Sequence, residues 1–331
     1  MTRLNLTLLL ALILVVPLSL LAGKVWIDPF QPAIANAAVI VLELRLPRAV
    51  LALAIGGGLG AAGAAMQGYL RNPLADPGLF GIAPAAALGA VLSFWTGMAA
   101  STRALPVFAL AGAGGAMGLL GLIAGRQADG AAGGGVALFT LAGMMLASLA
   151  CALTSLAISL SPTPFAMSEI VTWLMGALTD RGWREVWLCL PLSAAGIVIL
   201  RAAGESLDAL VLGEAAARSL GMDPVRLQWL LIAGVGLTVG SGVAVAGIVG
   251  FVGLVVPHLV RPFTDRRPSR LIVPSALAGA LLVLVADCLC RILPMVTELR
   301  LGVALSLLGA PFFLALLLRL RRVAMLDGGL G

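Results

Sequence analysis

Charge is scarce in this chain. Only 11% of its 331 residues are Asp, Glu, Lys or Arg, against roughly a quarter in soluble globular domains, so water is not the main solvent that its fold answers to. Lysine is all but missing. Lys24 stands alone, outside any G-x-x-x-x-G-K-[ST] segment, which rules out a phosphate-cradling P-loop within this polypeptide. A single histidine, His258, excludes H-E-x-x-H, and G-x-S-x-G is absent as well; the commoner metalloprotease and serine-hydrolase chemistries fall away with them. The four cysteines, Cys151, Cys189, Cys288 and Cys290, lie in or beside apolar segments without zinc-ligand spacing and read as packed thiols.

What fills the chain instead is apolar surface: 61% of it is hydrophobic, with a mean hydropathy of +1.10. A helical span needs about 20 apolar residues, and runs of roughly that size recur at 4–22, 49–68, 80–97, 105–125, 136–160, 186–201, 226–246, 250–260, 271–290 and 302–320. The expected fold class is therefore all-α, a polytopic membrane protein of about ten spans in one transmembrane domain covering 1–331. The first run follows Arg3 as a secretory signal would. It is longer than a signal's apolar core, and Leu20 occupies the place where cleavage before Gly23 would want a small residue, so it is expected to be retained as a span. The run at 250–260 is too short to cross alone and is expected to borrow residues from 245–247 after a break, or to lie tilted among its neighbours.

The formal charge of +6 would suggest nucleic acid in a soluble protein. Here the basic residues, all arginine except Lys24, sit between apolar runs, and most fall on the side that holds both ends, including Arg71, Arg201, Arg218, Arg226 and the tail arginines Arg319, Arg321 and Arg322. Both termini are accordingly expected in the cytoplasm, with no nucleic-acid partner. Inside the runs, Gly56 and Gly60, and again Gly236 and Gly240, recur at four-residue spacing, a pattern that lets helix backbones approach closely. Asp287 is the one acidic residue deep in a long run that could bind a coupling ion. Arg291 follows one helical turn later, so a structural ion pair is the favoured reading over a proton relay. His258, after Pro257, reads as interface packing. The loop 213–221, GEAAARSLG, reads as a short helix with Glu214 in its first turn, Arg218 one turn on, Gly221 as its stop, and then Asp223 and Pro224.

Several blocks together carry a family likeness: RLPR at 45–48, Gln67, RNPLA at 71–75, PGLFG at 77–81, GEAAARSLG at 213–221, GFVGLVVPHLVR at 250–261, Ala286 and Asp287 with Arg291, Glu298 to Gly302, and GAPFF at 309–313. From about residue 41 to 322 the chain resembles the permease subunits of binding-protein-dependent ABC importers for iron chelates, haem and cobalamin. The resemblance implies a type II importer. Two copies of a ten-span permease would enclose a pathway in the bacterial inner membrane, two cytoplasmic ATPase subunits would carry ATP and magnesium, and a periplasmic binding protein would deliver the ligand. The permease itself would hold no cofactor or metal and would not be an enzyme.

Residue by residue, the likeness makes 213–221 the coupling helix, with Gly213, Glu214, Ala217, Arg218, Ser219, Leu220 and Gly221 meeting the ATPase. Arg45, Arg48 and Arg291 would receive acidic residues of the binding protein; without the likeness they read as interfacial anchors. Ser148, Thr154 and Ser155 become candidate pathway walls, although hydroxyls in membrane helices often bond their own backbone. The DPGLFG stretch at 76–81 looks more like haem and cobalamin permeases than many siderophore permeases, so haem is the favoured cargo, followed by a corrinoid or ferric siderophore. The competing class is an ion-coupled secondary transporter using Asp287 and Arg291.

Overall fold

The computed structural model describes residues 3–24, 26, 37–98, 101, 103–126, 135–294 and 297–327. The described residues form helices and no strand: α1 (Arg3–Leu21), α2 (Leu46–Tyr69), α3 (Ile82–Trp95), α4 (Ala104–Arg126), α5 (Gly135–Ser159), α6 (Pro164–Leu174), α7 (Trp183–Ala202), α8 (Gly204–Leu210), α9 (Glu214–Ser219), α10 (Pro224–Ala246), α11 (Val252–Val260), α12 (Pro268–Ile292) and α13 (Leu301–Asp327). Each apolar run in the sequence coincides with one of them. By length and composition, α1, α4, α5, α7, α10 and α12 can each cross a membrane. The side chains of Arg319, Arg321 and Arg322, which contribute to the expected orientation, lie outside the described residues.

α2 is the centre of the bundle and is buried from Leu51 to Tyr69 on nearly every side. A helix can be surrounded this way only if its own side chains are small. At Gly56 and Gly60 the backbone of α2 meets the backbone of α12, so that any β-carbon would strike the carbonyls of Gly279 and Ser275; at Gly63 the same holds against Gly253 of α11. Polar side chains fasten these contacts: Ser193 Oγ of α7 donates to Ala54 O at 2.7 Å, and Gln67 Nε2 donates to Leu254 O at 3.1 Å. Since lipid tails are as apolar as leucine, such close packing, and not the exclusion of water, holds the helices together.

Two spans depart from uniform helix. α11 has nine residues, about 13 Å of helix, and it is separated from α10 by a break over 247–251. The five residues of the break could add at most about 16 Å if fully extended, and the turn in which Val252 N donates to Gly250 O at 2.9 Å keeps it shorter. Gly247 (φ 74°) and Phe251 (φ 64°) take left-handed conformations at the two ends of this break, and Phe251 does so without glycine's tolerance. Irregular backbone at this depth survives because neighbours take up its polar groups: Ala246 O, at the end of α10, accepts from Ala177 N at 2.8 Å. The other short span is α3, 14 residues long. It starts at Ile82 and not near 80, since Pro77–Phe80 forms a separate 3-10 turn capped by the Asp76 side chain and tucked against α5, with Phe80 and Phe139 edge to face at 4.9 Å.

Gly60→Val is expected to destabilise the detergent-purified protein by about 3 kcal/mol or more, the upper end of overpacking costs, because the obstacle is backbone. Gly115→Ala, which meets nothing within 4 Å on the exposed face of α4, is expected to stabilise by about 0.5–1 kcal/mol through helix propensity. Thermal denaturation of the two variants beside the parent checks both signs.

Candidate functional site

The end of α12 carries a buried ionic knot. Asp287 is completely shielded from solvent: it accepts from Arg48 of α2 through Nε at 2.9 Å and pairs with its Nη2 at 2.8 Å, and it lies in a 3.2 Å charge contact, without a hydrogen bond, with Arg291 Nε one turn along α12. The remaining Nη1 of Arg48 reaches Glu298 at 2.9 Å, and Glu298 also accepts from Thr179 Oγ1 at 3.2 Å. Arg45 donates to Leu20 O and Leu21 O at 2.9 and 2.8 Å, while Arg291 donates to Ala22 O at 3.3 Å. These carbonyls end α1, where the helix dipole favours positive charge. The knot thus ties α1, α2, α12 and the segment before α13.

This revises part of the sequence reading. The Asp287–Arg291 pair forms as expected, but Arg48 joins it, and Glu298 is a partner that was not anticipated as one. Arg45, Arg48 and Arg291 do share one end of the bundle, yet all three point inward, at most about a tenth exposed, with Arg48 and Arg291 turned to Asp287 and Arg45 to the carbonyls that end α1. Asp287 is flanked by two guanidinium groups, those of Arg48 and Arg291. Sequence reasoning could have found the Arg48 contact only by knowing that α2 and α12 pack side by side.

At the opposite end, α9 stands where the 213–221 motif predicts a helix. Gly213 (φ 98°) opens it, and Gly221 (φ 86°) closes it in a Schellman arrangement: Met222 N donates to Ala217 O at 3.0 Å and Gly221 N to Arg218 O at 2.9 Å. Asp223 then caps α10, accepting from Val225 N at 2.9 Å and Arg226 N at 3.2 Å, with Pro224 as its first residue. Ala217 is buried and roots the helix; Arg218, Ser219, Leu220 and Gly221 face outward, and Leu212 and Leu220 are two-thirds exposed. Glu214 and Arg218 do not pair with each other, contrary to their spacing. They border a small cleft with Tyr69 and Gln228, whose Nε2 donates to Tyr69 OH at 3.2 Å.

Between the two ends lie two cavities, on either side of the break after α10. One, of about 180 Å³, is almost wholly apolar and is lined by Ile55, Leu59, Val239, Ile248 and Phe251, with Asp76 as its acidic group. The other, of about 300 Å³, is polar and is lined by Glu169, Trp173, Thr179, Asp180, Arg181 and Arg300. Burial lowers the pKa of the Arg181 guanidinium; Glu185 and Asp180 oppose this, and Arg300 adds to it. The expected pathway residues lie elsewhere: Ser148 and Ser155 are exposed on α5 and Thr154 is half-buried there, with Ser155 Oγ bonded to Cys151 O at 3.0 Å. Met145, Leu149 and Leu156 share that uncovered helix. His258 packs edge to face on Phe312 at 6.1 Å, the four cysteines form no disulfide, and no metal-holding cluster occurs among the described residues.

A many-helix bundle with a broken span, a buried charge knot at one end and a protruding helix at the other defines a polytopic membrane transport subunit. Comparison with known proteins is specific: the model of the FecCD transport family matches residues 9–319, and the chain belongs to that family, as a permease subunit of an ABC importer. It is 37% identical to the vitamin B12 import system permease protein BtuC of Serratia proteamaculans (strain 568) over 92% of this chain and 89% of the relative. It is 36% identical to the Fe(3+) dicitrate transport system permease protein FecD of Escherichia coli (strain K12), over 85% and 86% respectively. Among solved structures it superimposes on an inward-facing metal-chelate type ABC transporter with a TM-score of 0.86 and 30% identity, over 95% of this chain and 98% of that one.

Asp287→Asn leaves Arg291 without its counter-charge and Arg48 with Glu298 alone, and is expected to cost about 3–5 kcal/mol. Glu298, at 24% side-chain exposure, can be replaced by Gln for about 1 kcal/mol. Denaturation midpoints of the two purified variants measure the difference.

Proposed function

We propose that two copies of this chain form the translocation pathway of a binding-protein-dependent importer in the bacterial inner membrane. The work comes from ATP and magnesium bound by two separate cytoplasmic ATPase subunits. Both termini and α9 face the cytoplasm, and the ionic knot faces the periplasm. The observation that carries this reading is α9 itself: a rigidly stopped helix, rooted by Ala217, that presents Arg218 and Leu220 outward between two spans. Such a helix is a lever, since force applied to it passes directly into α10 through the Asp223 cap. ATP-driven closure of the partner subunits would then shift the spans between two packed states.

The uncovered apolar side of α5 supports a second copy, with Ser148, Thr154 and Ser155 as wall residues of the shared pathway. At the other end, Arg45, Arg48 and Arg291 shape the face that receives the binding protein. Glu298, the most exposed member of the knot, holds Arg48 until an acidic residue of that protein competes for it. The cargo is a preformed metal complex: haem first, with cobalamin or a ferric siderophore as the alternatives. Relatives matched over most of their length carry names for vitamin B12 and ferric dicitrate, which supports chelate passage, with selectivity residing mainly in the binding protein.

The test is coupling in proteoliposomes that contain the permease, its ATPase and its binding protein. Glu214→Ala and Arg218→Ala are each expected to lower haem uptake at least about tenfold, a loss of about 1.4 kcal/mol of coupling, while ATP hydrolysis continues. Uptake and hydrolysis that stay in their parental ratio in both variants would remove α9 from the coupling role.

A further inference from the structure

At the α9 end of the bundle, a cavity of about 210 Å³ opens where α2, α8, α11 and α12 have their ends. Arg71, Arg261 and Arg266 line it, with Gln67 and the apolar Pro268 and Leu271. No carboxylate is part of the lining, and among the described residues none of these arginines makes an ion pair. Arg261 is held in place: its Nη2 donates to Gln67 Oε1 at 2.8 Å, and Gln67 is fixed in turn by Leu254 O. The Nε of Arg261 is buried and has no acceptor within the protein. Arg71 (φ 49°) and Arg266 (φ 62°) both hold left-handed backbone conformations beside it, which L-residues adopt only when the surroundings enforce it. Burial and then the like charge of Arg266 lower the pKa of Arg261.

Three arginines that line one small space repel one another unless an anion joins them. Guanidinium geometry matches phosphate oxygens, several of which can be bound at once. We propose that Arg71, Arg261 and Arg266 form a binding site for the phosphate of an anionic phospholipid headgroup. The lipid source is favoured over a free phosphate by what lies alongside. Leu259 and Phe263, just before and just after Arg261, are 48% and 72% exposed, giving acyl chains an apolar flank next to the charged pocket. Basic pockets between span ends are a recurrent setting for such headgroups. The site depends neither on the cargo nor on the direction of transport, so it stands or falls separately from the importer reading.

Native mass spectrometry of the intact, delipidated permease would compare phosphatidylglycerol with phosphatidylcholine of the same chains, in the presence and absence of inorganic phosphate. Preferential retention of phosphatidylglycerol is expected. The Arg71→Gln, Arg266→Gln double variant should bind it about 25-fold more weakly, at about fivefold per arginine, whereas Arg71→Lys with Arg266→Lys should retain most of the affinity and Arg226→Gln all of it. Equal retention of the two lipids, or an unchanged affinity in the double Gln variant, would overturn the proposal. Displacement of the lipid by millimolar inorganic phosphate would reassign the pocket to a free anion. Unchanged lipid binding combined with lost ATPase association would reassign it to an acidic protein partner.

Discussion

Inside a bilayer, helices gain little from hiding apolar side chains from one another, so a buried helix must be held by close packing and interhelical hydrogen bonds. That constraint governs this structure. α2 can be surrounded because Gly56, Gly60 and Gly63 bring its backbone against the backbones of α12 and α11, a closeness at which dispersion and weak polar contacts add up. The same closeness makes the arrangement discrete. Interlocked backbones have few intermediate positions, which is what a transport subunit that alternates between packed states requires.

Two features build on that centre. The break after α10 puts unpaired backbone in the membrane interior, where it is tolerable only with protein or a cavity beside it; here it has both, the apolar cavity at Ile248 and the polar one at Ala246. The ionic knot closes one end. Taken alone, a buried salt bridge is poor evidence of stability. Its value here is geometric: Asp287 and Glu298 fix Arg48 so that α2, α12 and the approach to α13 share one register. Between the charge at one end and the exposed α9 at the other lie an apolar cavity whose one acid is Asp76 and a polar cavity that carries Glu169, Asp180, Arg181 and Arg300.

The spans were legible because apolar length is a local property: the runs at 136–160 and 271–290 differ from α5 and α12 by a few residues. The 213–221 helix was legible for a related reason, since Gly213 and Gly221 place its start and stop irrespective of what surrounds it. α6, α8 and the 3-10 turn at Pro77–Phe80 escaped because their apolar stretches are short and their shape comes from tertiary packing, as with Phe80 against Phe139. The partners of Arg45 and Arg48 were invisible for the opposite reason. A buried and an exposed arginine look alike in sequence, and the separation of 239 residues between Arg48 and Asp287 is closed only by knowing which helices touch. The tri-arginine pocket combines both cases: Arg71 stood out as a basic loop position, but that Arg261 and Arg266 line the same cavity did not.

The central claim is that this polypeptide provides a jointed conduit whose energy and choice of cargo come from other proteins. The most direct measurement is metal-chelate accumulation by liposomes holding the purified chain alone, set against liposomes that also hold its ATPase, with the binding protein and ATP supplied. The account predicts accumulation only in the complete system and none under an imposed proton or sodium gradient. Gradient-driven accumulation by the chain alone would contradict it.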